Sequence, residues 1–209
     1  VDSADKKVIN MVSSISGEGK TFLTINLAAS LALLDKKVLI IELDIRRPKL
    51  GLYLDVPNEG GMTMFLSGHE TADKLVKPSG INPNLFMINS GPIAPNPNEL
   101  LAKPMLDELI KDLRDQFDYI LIDTAPIGLV SDSLILNRIA DVNLYIVRAD
   151  YTPKKNIEDA TVIYNDDKLK NMYFVLNSVD YTKRNYRYGY GKKYGYGYGL
   201  KKGMTYGYE

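Results

Sequence analysis

The sequence predicts an α/β fold, a mostly parallel sheet with helices on both faces. Three observations predict it. Short apolar runs such as Lys37–Glu42 and Tyr119–Asp123 lack the polar alternation of a half-exposed strand, so they read as strands buried on both faces. Segments with helical spacing lie between such runs. A Gly-Lys-Thr loop, Gly19-Lys20-Thr21, sits where the first strand hands over to the first helix.

The elements follow in order. Lys7–Ser13 reads as a strand and Gly19–Leu34, rich in Leu, Ala and Ile, as a helix. Lys37–Glu42 is a β-branched strand, and after a looser stretch with Gly60, Gly61 and Pro78 comes a strand at Leu85–Asn89. Glu99–Gln116 has one helical stripe, with Leu100, Leu101, Leu106, Leu109, Ile110 and Leu113 as its core face. Tyr119–Asp123, Asp141–Arg148 and Met172–Asn177 are further strands, with a helix near Lys154–Asp166. Alternating strands and helices mean a parallel sheet. At about Tyr181 the character changes. Residues 186–208 hold eight tyrosines and seven glycines with no hydrophobic face, so residues 181–209 read as a flexible low-complexity tail on a domain of residues 1–180.

Composition bounds the function. The chain has 209 residues, enough for one globular domain with an appendage. It has no cysteine, which excludes a disulfide framework, thiolate metal sites and iron–sulfur clusters. With a single histidine, His69, there is no multi-histidine metal site or histidine-based triad, and His69 reads as a surface residue. Net charge is zero, but residues 181–209 carry seven Lys/Arg against Glu209 alone, so the tail is +6 and the rest −6. Such a tail can dock on its own body or on a neighbour's.

Ser14–Thr21 is a phosphate loop by mechanism. Gly17 and Gly19 let the backbone turn its N–H groups towards phosphate oxygens, and the helix N-terminus adds partial positive charge. Lys20 can reach the β- and γ-phosphates, and the Thr21 hydroxyl can bind Mg²⁺. Ser14 stands where the usual pattern opens with Gly. Asp123 ends a buried strand at the edge where open α/β sheets bind ligands, and would hold Mg²⁺ directly or through water. Glu42 and Asp44 leave another strand at the same edge. They can hold metal-bound water or take a proton from an attacking hydroxyl. Arg46 and Arg47 can neutralise phosphate charge or pair with carboxylates. The fold is therefore expected to be of the P-loop NTPase type, with ATP and Mg²⁺ as cofactors.

Taken together, Ser-Ser-x-x-Gly-Glu-Gly-Lys-Thr, Ile-Ile-Glu-Leu-Asp-Ile-Arg-Arg-Pro, Ile-Leu-Ile-Asp-Thr-Ala-Pro, the phrase Pro95–Leu101 and the tyrosine-rich tail resemble the bacterial tyrosine kinases of capsule and exopolysaccharide export. The resemblance covers essentially the whole chain. It implies Walker A at Ser14–Thr21, Walker A-prime at Ile40–Arg46 and Walker B at Ile120–Asp123. The nucleotide set would be Ser16, Gly17, Glu18, Gly19, Lys20, Thr21 and Phe22, joined by Asn177, which either reads an adenine edge or is a strand-end turn residue. The metal set would be Thr21, Asp123, Glu42 and Asp44. Catalysis would fall to Lys20, Asp44, Glu42, Asp123 and Arg46, with the base role split between Glu42 and Asp44 and Asp44 favoured. Autophosphorylation would fall on Tyr186, Tyr188, Tyr190, Tyr194, Tyr196, Tyr198, Tyr206 and Tyr208, largely between subunits of a homo-oligomer. A membrane-spanning activator, on the same or a separate polypeptide, and a tyrosine phosphatase would be partners, with the protein at the cytoplasmic face of the membrane.

Two departures qualify the resemblance. The family pattern has Asp where this chain has Glu42, whose carboxylate reaches about one methylene further. The family's Glu/Arg-rich assembly helix precedes the first strand, and this chain starts after it, so an excised piece is expected to assemble more weakly. Two other functions compete. A partitioning or division-site ATPase of the MinD/ParA kind is a nucleotide switch rather than a kinase, but its signature lysine would fall at Ile15. A nucleic-acid or anionic-membrane module would use the tail's aromatics and cations; the loop and its acids make nucleic acid the weaker partner.

Overall fold

The computed structural model describes residues 7–128 and 132–180. The expected tail and its acceptor tyrosines lie outside the described residues. Among the described residues, seven strands pair into one sheet: β1 (Val8–Ser13), β2 (Val38–Glu42), β3 (Lys77–Pro78), β4 (Leu85–Ile88), β5 (Tyr119–Asp123), β6 (Val142–Arg148) and β7 (Met172–Asn177), in spatial order β3-β4-β2-β5-β1-β6-β7. All pairings are parallel except the two-residue edge strand β3. The mostly parallel α/β expectation holds.

Each face of the sheet has its own apolar layer, because side chains alternate along a strand. Ile9, Met11, Ile40 and Leu121 face α1 (Lys20–Ala32), whose buried Ala28 and Ala32 let it lie close to the strands. Val8, Leu39, Ile41, Ile120 and Ile122 face the other way, towards Leu106, Leu109, Ile110 and Leu113. Leu106 is fully buried; truncating such a leucine to alanine costs about 2–5 kcal/mol.

The single helix expected over Glu99–Gln116 is two. Chain order gives α2 (Leu50–Leu54), α3 (Met62–Leu66), then α4 (Pro97–Leu101) and α5 (Pro104–Arg114). Pro104 forces the break. It has no N–H to donate, and it pushes Lys103 into extended backbone, with ψ 137. The apolar stripe continues across the break, which is why periodicity alone reads through it. The remaining α-helices among the described residues are α6 (Asp132–Leu136) and α7 (Lys154–Asn165). The short α2, α3 and α6 carry too few turns to show a period.

Strand order positions the site. From β1 the chain crosses over β5's place to β2, and later returns to lay β5 between them and β6 on the far side of β1. The C-terminal ends of β2, β5, β1 and β6 thus converge at a topological switch point, where such sheets bind ligands.

Candidate active site

The loop after β1 is built on two left-handed residues, Gly17 at φ 88° and Gly19 at φ 96°. An L side chain is strained at such angles. The side chain between them, Glu18, is buried and turned away from solvent. Its carboxylate accepts the Ser14 hydroxyl at 2.9 Å, the Ile15 amide at 2.8 Å and the Thr152 hydroxyl. Ser14 therefore does more than replace a glycine, since its hydroxyl helps fix the loop.

Lys20 and Thr21 open α1 beneath this loop. The Lys20 ammonium is buried and donates to the Ser13 hydroxyl at 3.0 Å. Burial lowers its pKa, opposed by the charges of Asp123, Asp44 and Glu18. The Thr21 hydroxyl donates to Asp123 Oδ2 at 2.6 Å. Asp123 Oδ1 is buried with no hydrogen-bond partner among the described residues. Burial pushes the Asp123 carboxyl up to about 7; Lys20 and the Thr21 hydrogen bond pull it down, and Glu42 and Asp44 push it further up. A buried acceptor left unmatched is costly unless a ligand meets it. The residues expected to bind metal at β5 and α1 thus come together around one unmatched oxygen.

Glu42 and Asp44 part company. In the sheet Glu42 stands directly beside Asp123. Its carboxylate, however, turns onto backbone amides: Oε1 accepts Lys49 and Leu50, both at 2.6 Å, and Oε2 accepts Ser90 at 3.2 Å. Its oxygens hold the start of α2 and the segment after β4 in place. Asp44 is half-buried two residues further on, its Oδ1 accepting the Arg47 amide at 3.0 Å and the Arg46 amide at 3.4 Å. The Arg46 guanidinium donates to Asn98 Oδ1 at 2.8 Å, tying this loop to α4.

Three loop contacts were not foreseen. Arg148, at the end of β6, donates to the Gly17 carbonyl at 2.9 Å. Tyr151 donates its hydroxyl to the Ser16 carbonyl at 3.0 Å, and Thr152 reaches Glu18. The signal available in the sequence was Arg148 at a strand end, but only the strand order reveals that β6 lies beside β1. Asn177, read either as an adenine contact or as a strand-end turn residue, donates to the Glu18 carbonyl at 2.9 Å and accepts the Ser178 amide at 2.8 Å. Phe22 lies exposed on α1, 57% accessible.

A family model described as an AAA domain matches residues 6–153. The chain is 36% identical over 186 residues to the tyrosine-protein kinase CpsD of Streptococcus pneumoniae, spanning 88% of this chain and 82% of that protein. The chain belongs to the bacterial tyrosine-protein kinases. This kinase domain is also 33% identical to the tyrosine-protein kinase ptk of Acinetobacter johnsonii, a longer protein of which the match spans 25%. Among solved structures, the kinase domain of the Escherichia coli tyrosine kinase ETK matches with a TM-score of 0.82 at 27% identity, over 92% of this chain and 74% of that one. MinD of Pyrococcus horikoshii matches with a TM-score of 0.68 at 23% identity, over 82% and 70% of the two chains, a likeness of fold.

Proposed function

We propose that this kinase domain binds Mg·ATP and transfers its γ-phosphoryl group to tyrosines among residues 186–208, largely on a neighbouring copy. In this reading it acts at the inner face of the membrane with a membrane-spanning activator, is reset by a tyrosine phosphatase, and regulates polysaccharide polymerisation and export. The observation that carries the chemistry is the unmatched, buried Asp123 Oδ1 beside the Thr21 hydroxyl, at the foot of a two-glycine loop. That pair fits Mg²⁺, which takes one or two protein oxygens and completes its shell with phosphate and water. Among the described residues no cluster of three or more His, Asp or Glu forms an all-protein metal cage, and this mode needs none.

When bound, the ion would neutralise phosphate charge. The chain's own residues do the rest. Loop amides cradle the phosphates, and Lys20, already held at the Ser13 hydroxyl, supplies a positive charge at the transferring group. A tyrosine phenol, with pKa about 10, needs a base as it attacks. Asp44 takes the phenolic proton while the tyrosine oxygen bonds to phosphorus and the bond to ADP breaks. Glu42, its oxygens committed to amides, braces the loop that carries Asp44. Arg46 steadies the same loop through Asn98.

A mixing experiment tests the reading. Lys20→Met protein with an intact tail is incubated with Mg·ATP and an active chain cut at residue 180, with the activator segment present. Phosphotyrosine should form on the Lys20→Met tail. Its absence, together with ATP-dependent dimerisation, would favour a nucleotide switch instead.

A further inference from the structure

Four side chains from outside the phosphate loop grip it, and they do so in a pattern. Tyr151 takes the carbonyl of Ser16, Arg148 that of Gly17 and Asn177 that of Glu18. These are three successive peptide units. Thr152 secures the Glu18 side chain beneath them.

A trans peptide is planar, with its C=O and the following N–H pointing in opposite directions. Pulling the Ser16, Gly17 and Glu18 carbonyls outward therefore turns the N–H groups of Gly17, Glu18 and Gly19 inward. Three converging N–H groups on alternating left- and right-handed residues form an anion nest. The left-handed positions are Gly17 and Gly19, and Glu18 between them has no positive φ. We infer that Arg148, Tyr151 and Asn177 form an outer clamp that aims the amides of Gly17, Glu18 and Gly19 at the β-phosphate of a bound nucleoside diphosphate or triphosphate. The inference rests on the nucleotide-binding reading above and adds three positioning residues to it.

The clamp is close-fitting. A Cβ at Gly17 would stand 2.7 Å from the Tyr151 oxygen, and one at Gly19 would meet the Asn177 amide nitrogen. Glycine is thus required there for its backbone angle, and a Cβ would also displace the tips of the clamp side chains. The clamp also lies outside the core, with Arg148 and Asn177 half-buried. Tyr151 is 47% exposed, and its ring stacks against the Arg148 guanidinium at 4.9 Å. Side chains so placed fill no core. Without them each peptide plane could flip, and a flipped unit would present a carbonyl oxygen to the phosphate instead of an N–H.

Affinities for ADP and AMP, measured by titration calorimetry with Mg²⁺ on the full chain, test this. AMP lacks the β-phosphate, so the ADP-to-AMP affinity ratio isolates the contacts to that phosphate; Lys20, Thr21 and Asp123 stay the same in every variant, so a change in the ratio reads the nest. Tyr151→Phe removes one hydroxyl and should lower that ratio by about 2- to 10-fold, one hydrogen bond's share. Tyr151→Phe with Arg148→Met should lower it by about 10- to 100-fold, and Arg148→Lys should recover part of the Arg148 loss. Melting temperatures without nucleotide should be unchanged for Tyr151→Phe. Asn177→Ala should also lower the ratio; an equal loss for ADP and AMP would assign Asn177 to the adenine and remove it from the clamp. An unchanged ratio in the double variant overturns the clamp while leaving nucleotide binding intact. No ADP binding by the unsubstituted chain overturns both.

Discussion

Replacing Asp123 by Asn separates what the chemistry needs from what the fold tolerates. The Asp123 carboxyl stands at about 7 against an ordinary 3.8, chiefly because it is buried. A shift of about 3 units, at 1.36 kcal/mol each, means that ionising it costs the folded state about 4 kcal/mol. Its folded pKa is raised above the unfolded value. The associated stability is therefore fully present below pH 3.8 and is lost as pH rises through about 7. Asn resembles the protonated acid but does not titrate. It can still accept from Thr21, though its new N–H groups lack arranged acceptors, so about 1–3 kcal/mol is recoverable. In a chain of this length each kcal/mol moves Tm by about 2–4 °C. Melted without nucleotide or Mg²⁺, Asp123→Asn should exceed the unsubstituted protein at pH 8, with the gap closing towards pH 5, while phosphotransfer is lost. A lower Tm at pH 8, or a gap that ignores pH, refutes the reasoning.

Glu42→Gln places N–H donors against backbone amides and should cost about 2–4 kcal/mol of stability, read as a fall in Tm, with kcat changed by less than about 10-fold. Asp44→Asn should do the reverse, leaving Tm nearly unmoved and lowering kcat by about 100-fold or more, the usual contribution of a general base. The Asp141 carboxyl is lowered: burial pushes it up, but hydrogen bonds from Arg114 and the Val8 amide, the Arg114 charge and the Lys7 amide outweigh that. Its stabilisation is present above about pH 4 and lost as pH falls through the lowered value, so Asp141→Asn should reduce Tm at pH 7 by the equivalent of about 1–3 kcal/mol, with the difference vanishing in stronger acid. Each tail phosphate adds about −1.5 to −2 charge, so full phosphorylation should reverse the +6 of residues 181–209 and loosen any oligomer. Sedimentation velocity of phosphorylated and phosphatase-treated protein should then differ; identical profiles would reject the tail as the tether.

Most of the fold was legible because its central strands are short and almost wholly buried. Runs such as Leu39-Ile40-Ile41 have no polar member to confuse the reading, and all lie in the sheet. The break at Pro104 was missed because the apolar stripe runs through it unchanged. Local residues of the site, from Gly17 to Thr21 and Asp123, were legible since their chemistry shows in adjacent letters. What the sequence hid was orientation. Glu42 and Asp44 look equivalent in Ile-Glu-Leu-Asp-Ile, yet Glu42 turns onto the amides of Lys49, Leu50 and Ser90, which lie as far as 48 residues along the chain. Arg148 and Tyr151 act on a loop more than 130 positions earlier, a proximity that only the order β5-β1-β6 creates.

Intact mass after incubation with Mg·ATP tests the central claim most directly. The account predicts several additions of about 80 Da, one per phosphate, all mapping to tyrosines within residues 186–208 and absent in Lys20→Met. No phosphotyrosine there, even with the activator segment added, would contradict it.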